Sequence, residues 1–114
     1  MSWEEMQVVP TKDGVNRSFA FEFEQSLESA GNGSWIVVSD GVQSVSVTVL
    51  PVGCTVKVQT TTDLINTVKN GTPTPVDWDA GEVSSVSTDV FWPITALRLV
   101  QIGAGSSKLK VRSQ

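Results

Sequence analysis

The sequence contains no histidine and no tyrosine, a single cysteine, and only 8 lysines and arginines among 114 residues. Each shortage removes a class of chemistry. Without an imidazole there is no Ser-His-Asp triad and no His-ligated zinc. One cysteine excludes an internal disulfide and every thiolate cluster. Cys54 reads as a small buried hydrophobe, since a reactive thiol needs a nearby cation or a helix N-terminus and only Lys57 is close in sequence. The 12 acids outnumber the bases, and the net charge of -4 argues against a nucleic-acid binder, which needs a basic footprint. No apolar run approaches the ~18 residues of a membrane-crossing helix. Met1-Ser2-Trp3-Glu4-Glu5 places acids where the basic n-region of a signal peptide belongs. The expectation is a small non-catalytic domain made in a cytoplasm, with no cofactor and with neither nucleic acid nor membrane as partner.

What the chain does contain is strand chemistry. It has 19 Val, 14 Ser and 11 Thr, and the β-branched members of that set suit a pleated, half-buried surface. The 9 Gly and 5 Pro fall between apolar runs, where strands turn. Phe19, Phe21 and Phe23 alternate with Ala20, Glu22 and Glu24, a period of two that gives a strand one core face and one wet face. Trp35-Ile36-Val37-Val38 is a short continuous apolar strand, followed by a tight-turn signal at Asp40-Gly41. Val45, Val47 and Val49 alternate with Ser44, Ser46 and Thr48. Cys54, Val56 and Val58 alternate with Thr55, Lys57 and Gln59 beyond a Pro51–Gly53 turn, and the two segments are expected to form an antiparallel pair. Residues 62–70 break the pattern: Thr62 or Asp63 caps, Leu64, Ile65 and Val68 recur at helical spacing, and Asn70-Gly71 ends one short helical turn. A Ser-rich strand near Val83 to Ser87, a strand from Thr95 to Ile102, and a final hairpin through Gly103-Ala104-Gly105 into Lys108–Arg112 complete the series.

This spacing predicts an all-β fold, an antiparallel β-sandwich or jelly roll of about eight strands with one short helical turn. Residues 1–17 read as a partly extended N-terminal arm, and residues 18–114 as one β-sandwich domain.

Charge is segregated along the chain. Residues 1–28 hold Glu4, Glu5, Asp13, Glu22, Glu24 and Glu28 against Lys12 and Arg17, whereas residues 90–114 hold Arg98, Lys108, Lys110 and Arg112 with no acid. Either the first and last strands lie side by side with complementary outer faces, or an acidic patch on one subunit meets a basic patch on another. The alternation Lys108, Lys110, Arg112 also suits an edge strand.

Asp77 and Asp79 flank Trp78 and would share one face of a strand. Such acids can bind calcium or act as an acid/base pair on a glycoside, but the further ligands of a calcium loop are missing, and solvated turn acids are the simpler reading. Gly103-Ala104-Gly105 lacks the Lys-Ser/Thr and the helix of a phosphate loop. Of the four Trp, Trp35 and Trp92 sit in apolar segments and read as core. Trp3 in the arm and Trp78 between its acids are candidate exposed anchors, a setting where Trp is enriched. Exposed indoles would also serve a carbohydrate-binding module, the alternative function. The candidate interface residues are therefore Trp3, Glu4, Glu5, Asp77, Trp78, Asp79, Lys108, Lys110 and Arg112, with no catalytic, cofactor or metal site among them.

The stretch from Cys54 to Val111 resembles small virion proteins of tailed bacteriophages. The residues that carry this are Thr60-Thr61-Thr62-Asp63 with Val68-Lys69-Asn70-Gly71, then Val76-Asp77-Trp78-Asp79-Ala80-Gly81-Glu82-Val83. They continue through Thr88-Asp89-Val90-Phe91, Pro93-Ile94-Thr95-Ala96-Leu97-Arg98-Leu99 and the closing strand Lys108–Arg112. The family resembled is that of capsid decoration or cement proteins and related head- or tail-fibre β-domains. The resemblance implies a jelly-roll-like sandwich made in the host cytoplasm that binds the exterior of an icosahedral shell. It also implies the major capsid protein as partner and a homo-oligomer, dimer or trimer; a phage fibre module stands beside the carbohydrate-binding one as the alternative function.

Overall fold

Alternating Val and Leu leave one face of each strand unable to meet water, and the fold closes these faces on one another. The computed structural model describes residues 3–5, 7–10, 19–38, 44–91 and 94–113, with side chains from residue 22 onward. Among them are eleven strands: β1 Trp3–Glu5, β2 Gln7–Pro10, β3 Phe19–Leu27, β4 Gly31–Asn32, β5 Trp35–Val37, β6 Val45–Val52, β7 Thr55–Thr61, β8 Val76–Asp77, β9 Ser87–Phe91, β10 Ala96–Ile102 and β11 Ser106–Ser113, with one helix, α1 Ile65–Asn70, between β7 and β8.

The strands form two sheets. Sheet I runs β1-β5-β10-β7-β8, with β4 also against β10, and sheet II runs β2-β3-β11-β6-β9. Every pairing is antiparallel except β1 with β5. From β3 onward the chain builds β3-β11-β6-β9 against β5-β10-β7-β8, crossing between the sheets at every connection except β4 to β5 and β7 to β8, which stay in sheet I. Two four-stranded sheets wired in this way make a jelly roll. The expected eight strands are this frame, and β1, β2 and β4 are short additions to it.

The core between the sheets is aliphatic. Ile36, Val45, Val47, Val49, Val56, Val58, Leu97, Leu99, Leu109 and Val111 are all buried there, with Phe23, Leu27, Phe91 and Ile94 packed at its margin. Trp35, Val37, Val68 and Ala96 form a second cluster on the outside of sheet I. Val68 is the buried residue of α1, so the helix covers that patch. This explains why β5 is buried along its whole length and shows no alternation.

Four expectations are corrected. Strands β6 and β7 do not pair: β6 lies between β11 and β9, and β7 between β10 and β8. The same holds for β10 and β11, so the turn at residues 103–105 is a crossover between sheets. Alternation marks which face of a strand is wet but not which strand lies beside it. Strand β11 is also central in sheet II, so Lys108, Lys110 and Arg112 guard no edge. The helix begins later than expected, with Leu64 at its N-cap and no side-chain cap. Asp63 instead accepts a hydrogen bond from the Thr74 amide (2.7 Å), tying the two ends of the loop. Leu64 and Ile65 are exposed, leaving Val68 as the helix's core contact. The Asp40-Gly41 turn and Trp92 lie outside the described residues.

Candidate interaction surfaces

The outer face of sheet II carries the charge that sequence segregates. In β11 every second residue, Ser107 through Ser113, is buried, which turns Lys108, Lys110 and Arg112 outward. Pairing with β3 sets Lys110 opposite Glu24 and Arg112 opposite Glu22. The Lys108 ammonium lies 3.3 Å from the Glu24 carboxylate, with both side chains about half exposed. On the other flank Thr48 stands opposite Lys110, and Ser46 opposite Arg112. Glu22, Glu24, Ser46, Thr48, Lys110 and Arg112 line an open depression of about 640 Å³. Glu22 and Glu24 of the acidic beginning and the basic strand β11 are therefore neighbours in one sheet, as in the first of the two readings of the charge pattern, whereas Glu4, Glu5 and Arg98 belong to sheet I.

The outer face of sheet I carries a polar row that crosses several strands. Gln59 of β7 lies opposite Arg98 of β10 on one side and Asp77 of β8 on the other. Arg98 donates through Nε and Nη2 to the Gln59 Oε1 (2.9 and 2.7 Å) and lies over the Trp35 ring, 4.5 Å from its centroid. Burial pulls the Arg98 guanidinium below its ordinary pKa, though a guanidinium stays charged in proteins. Gln59 Nε2 donates to Asp77 Oδ1 (3.0 Å), and Lys57 Nζ to Asp77 Oδ2 (3.1 Å). The hydrogen bond from Gln59, then that from Lys57, holds the Asp77 carboxyl below the usual carboxylate range. At the far side of the row, the register of β1 places Trp3 beside Trp35, Glu4 beside Ile36 and Glu5 beside Val37.

Trp78 is the clearest correction among the candidate anchors. It is 5% exposed, belongs to the inter-sheet core, and meets the Phe91 ring edge-on at 6.2 Å. Its indole N–H donates to the Gly81 carbonyl within the same turn. The two acids beside it remain at the surface while the backbone carries the ring inward. Trp35 is buried as expected, at 3% exposure. Both described indoles are thus withdrawn from solvent, and neither presents a ring face for a sugar. The candidate residues divide accordingly: Lys108, Lys110 and Arg112 share the outside of sheet II, Asp77 belongs to sheet I, and Asp79 sits in the exposed turn after β8. Glu22, Glu24, Gln59 and Arg98 join these surfaces through strand register, which leaves no mark in the local sequence. Among the described residues no group of three or more His, Cys, Asp or Glu is placed to hold a metal ion. None of the helices is long and apolar enough to cross a membrane, again among the described residues.

No family model and no curated protein matches the sequence. In structure the chain is similar to the SPBc2 prophage-derived protein YomS, with a TM-score of 0.50 and 13% identity over 87% of this chain and 97% of that one. At that identity the likeness is one of fold. A cupin domain from Bordetella pertussis Tohama I aligns with a TM-score of 0.43 and 10% identity, over 100% of this chain and 98% of that one. The C-terminal CBM6 of LamC, a marine laminarinase from Zobellia galactanivorans, aligns with a TM-score of 0.31 and 14% identity, over 96% and 88%. These last two scores are too low to carry any inference. The segment Cys54–Val111, on which the sequence resemblance rests, supplies β7 through most of β11.

Proposed function

We propose that this chain is a structural protein of a phage particle, decorating the exterior of an icosahedral capsid and stabilising it through surface contacts with the major capsid protein. The observation that carries the reading is the jelly-roll frame shared, over nearly its full length, with a prophage-derived protein. The phage-like residues of the C-terminal half support it independently. So does the composition: a clamp acts through a rigid frame and complementary surfaces, and it has no use for an imidazole base or a thiolate ligand.

The test is direct. Purified protein is mixed with undecorated capsids, and co-sedimentation and heat resistance of the shells are measured. Binding in a fixed ratio to capsid subunits, with a rise in the temperature at which shells open, is the expected result. Absence of binding together with unchanged shell stability would remove the proposal.

A further inference from the structure

The charges outside sheet II are sorted into columns: Glu22 and Glu24 stand on β3, and Lys108, Lys110 and Arg112 on the adjacent β11. Register fixes their heights, Glu22 level with Arg112 and Glu24 level with Lys110. Such a face is complementary to itself under one particular rotation. A two-fold axis that runs parallel to the strands, above the β3–β11 seam, exchanges left and right and preserves height. It lays β3 of one copy over β11 of the other, so Glu22 faces Arg112 and Glu24 faces Lys110. A two-fold axis perpendicular to the strands would instead set acid over acid.

We propose that the outer face of sheet II is a self-complementary surface through which two copies of this chain associate about the axis parallel to its strands. Packed sheets stand ~10 Å apart, a gap that Lys, Arg and Glu side chains from both faces can bridge. Each carboxylate then sits between a cation of its own sheet and a cation of the other copy, so neither copy buries a lone charge. The depression over Glu22, Glu24, Ser46, Thr48, Lys110 and Arg112 gives room for the ends of the other copy's long side chains. An interface built from charges and hydroxyls is wet and sensitive to salt. The proposal concerns the free protein in solution and stands apart from capsid attachment.

Sedimentation velocity on the full chain tests it. A two-chain species is expected at roughly 0.05 M salt, dissociating toward a single chain at roughly 0.5 M, where the Debye length is only a few ångströms. Lys110→Glu with Arg112→Glu, and Glu22→Lys with Glu24→Lys, should each remain single chains at low salt. An equimolar mixture of the two should regain the two-chain mass. Lys110→Gln with Arg112→Gln removes the charge without adding repulsion and should weaken association about tenfold or more. Circular dichroism melts show which variants are folded, and the Gln pair supplies the reading if a reversed pair is not. A parent protein that stays monomeric at low salt, or that forms trimers, overturns the proposal. So does a folded Gln variant that associates as tightly as the parent, or a mixture of folded reversed variants that remains monomeric.

Discussion

Trp78 lies between two carboxylates in the sequence, yet its ring fills the space between the sheets. The reason is local: after Asp77 the chain leaves β8, the Trp78 amide donates to the Val58 carbonyl (2.9 Å), and the Gly81 amide donates back to the Trp78 carbonyl (3.1 Å). That turn aims the ring inward and leaves Asp79 outside. Burial of an indole outweighs the preference of its neighbours for water, because a backbone bend lets all three be satisfied. Asp77 carries a prediction of its own. Its folded pKa is lowered from 3.8, so its contribution to stability is complete above that value and is lost as pH falls through the folded value. Asp77→Asn is expected to lower the denaturation midpoint near neutral pH. The gap to the parent should close in titrations carried below pH 3.8. A gap independent of pH would mean that the carboxylate's charge is not what Lys57 and Gln59 hold.

The elements are joined by a device that strand periodicity alone does not reveal. Between β4 and β5 the strand is interrupted at Gly33 and Ser34. There the side chain of Gln25, 6% exposed, reaches from β3 of one sheet to the other. Its Oε1 accepts from the Leu99 amide (3.0 Å), and its Nε2 donates to the Ser34 carbonyl (2.8 Å). A Cβ on Gly33 would collide with the Gln25 amide, so the approach requires glycine at that point. Gln25→Leu retains an inward side chain but strands the buried Leu99 N–H and the partly buried Ser34 C=O. Each such group costs about 1–3 kcal/mol, which denaturant unfolding would resolve. Hydrogen exchange should report faster exchange at the Leu99 amide. The hint in the sequence is a glutamine at the inward beat of the series Phe19, Phe21, Phe23, Gln25, Leu27. The helix was legible at the same partial level: its existence and its Gly71 end could be read, whereas its start could not, because Asp63 serves the loop to Thr74 rather than the helix cap.

The whole molecule is closed at one margin by its N-terminal strands. β1 extends sheet I beyond β5, and β2 extends sheet II beyond β3. Only one residue separates Glu5 from Gln7, and two residue steps span ~7 Å at most, less than the usual ~10 Å between packed sheets. The two sheets therefore draw together at this margin, and main chain covers both edges. Residues 3–10 act within the frame, as strands in both of its sheets. A chain lacking residues 1–10 should show increased deuterium uptake across β5 and β3, which then become edges, and a greater tendency to aggregate. Unchanged uptake in both strands would show that β1 and β2 contribute nothing to the protection of the frame.

Several properties were determined by the sequence itself. The β class, the wet and dry faces of β6, β7 and β11, and the lack of imidazole chemistry follow from residue types and a period of two, which are local quantities. Tertiary structure alone decided that β6 and β7, and β10 and β11, fall in opposite sheets, that Trp78 is core, and that Glu22 and Glu24 meet Arg112 and Lys110. With 19 Val in the chain, one dry strand face packs almost as well against another, so side-chain identity barely distinguishes among partners. The choice is made by the shortness of the crossovers and by the closing of both sheets over a single shared core.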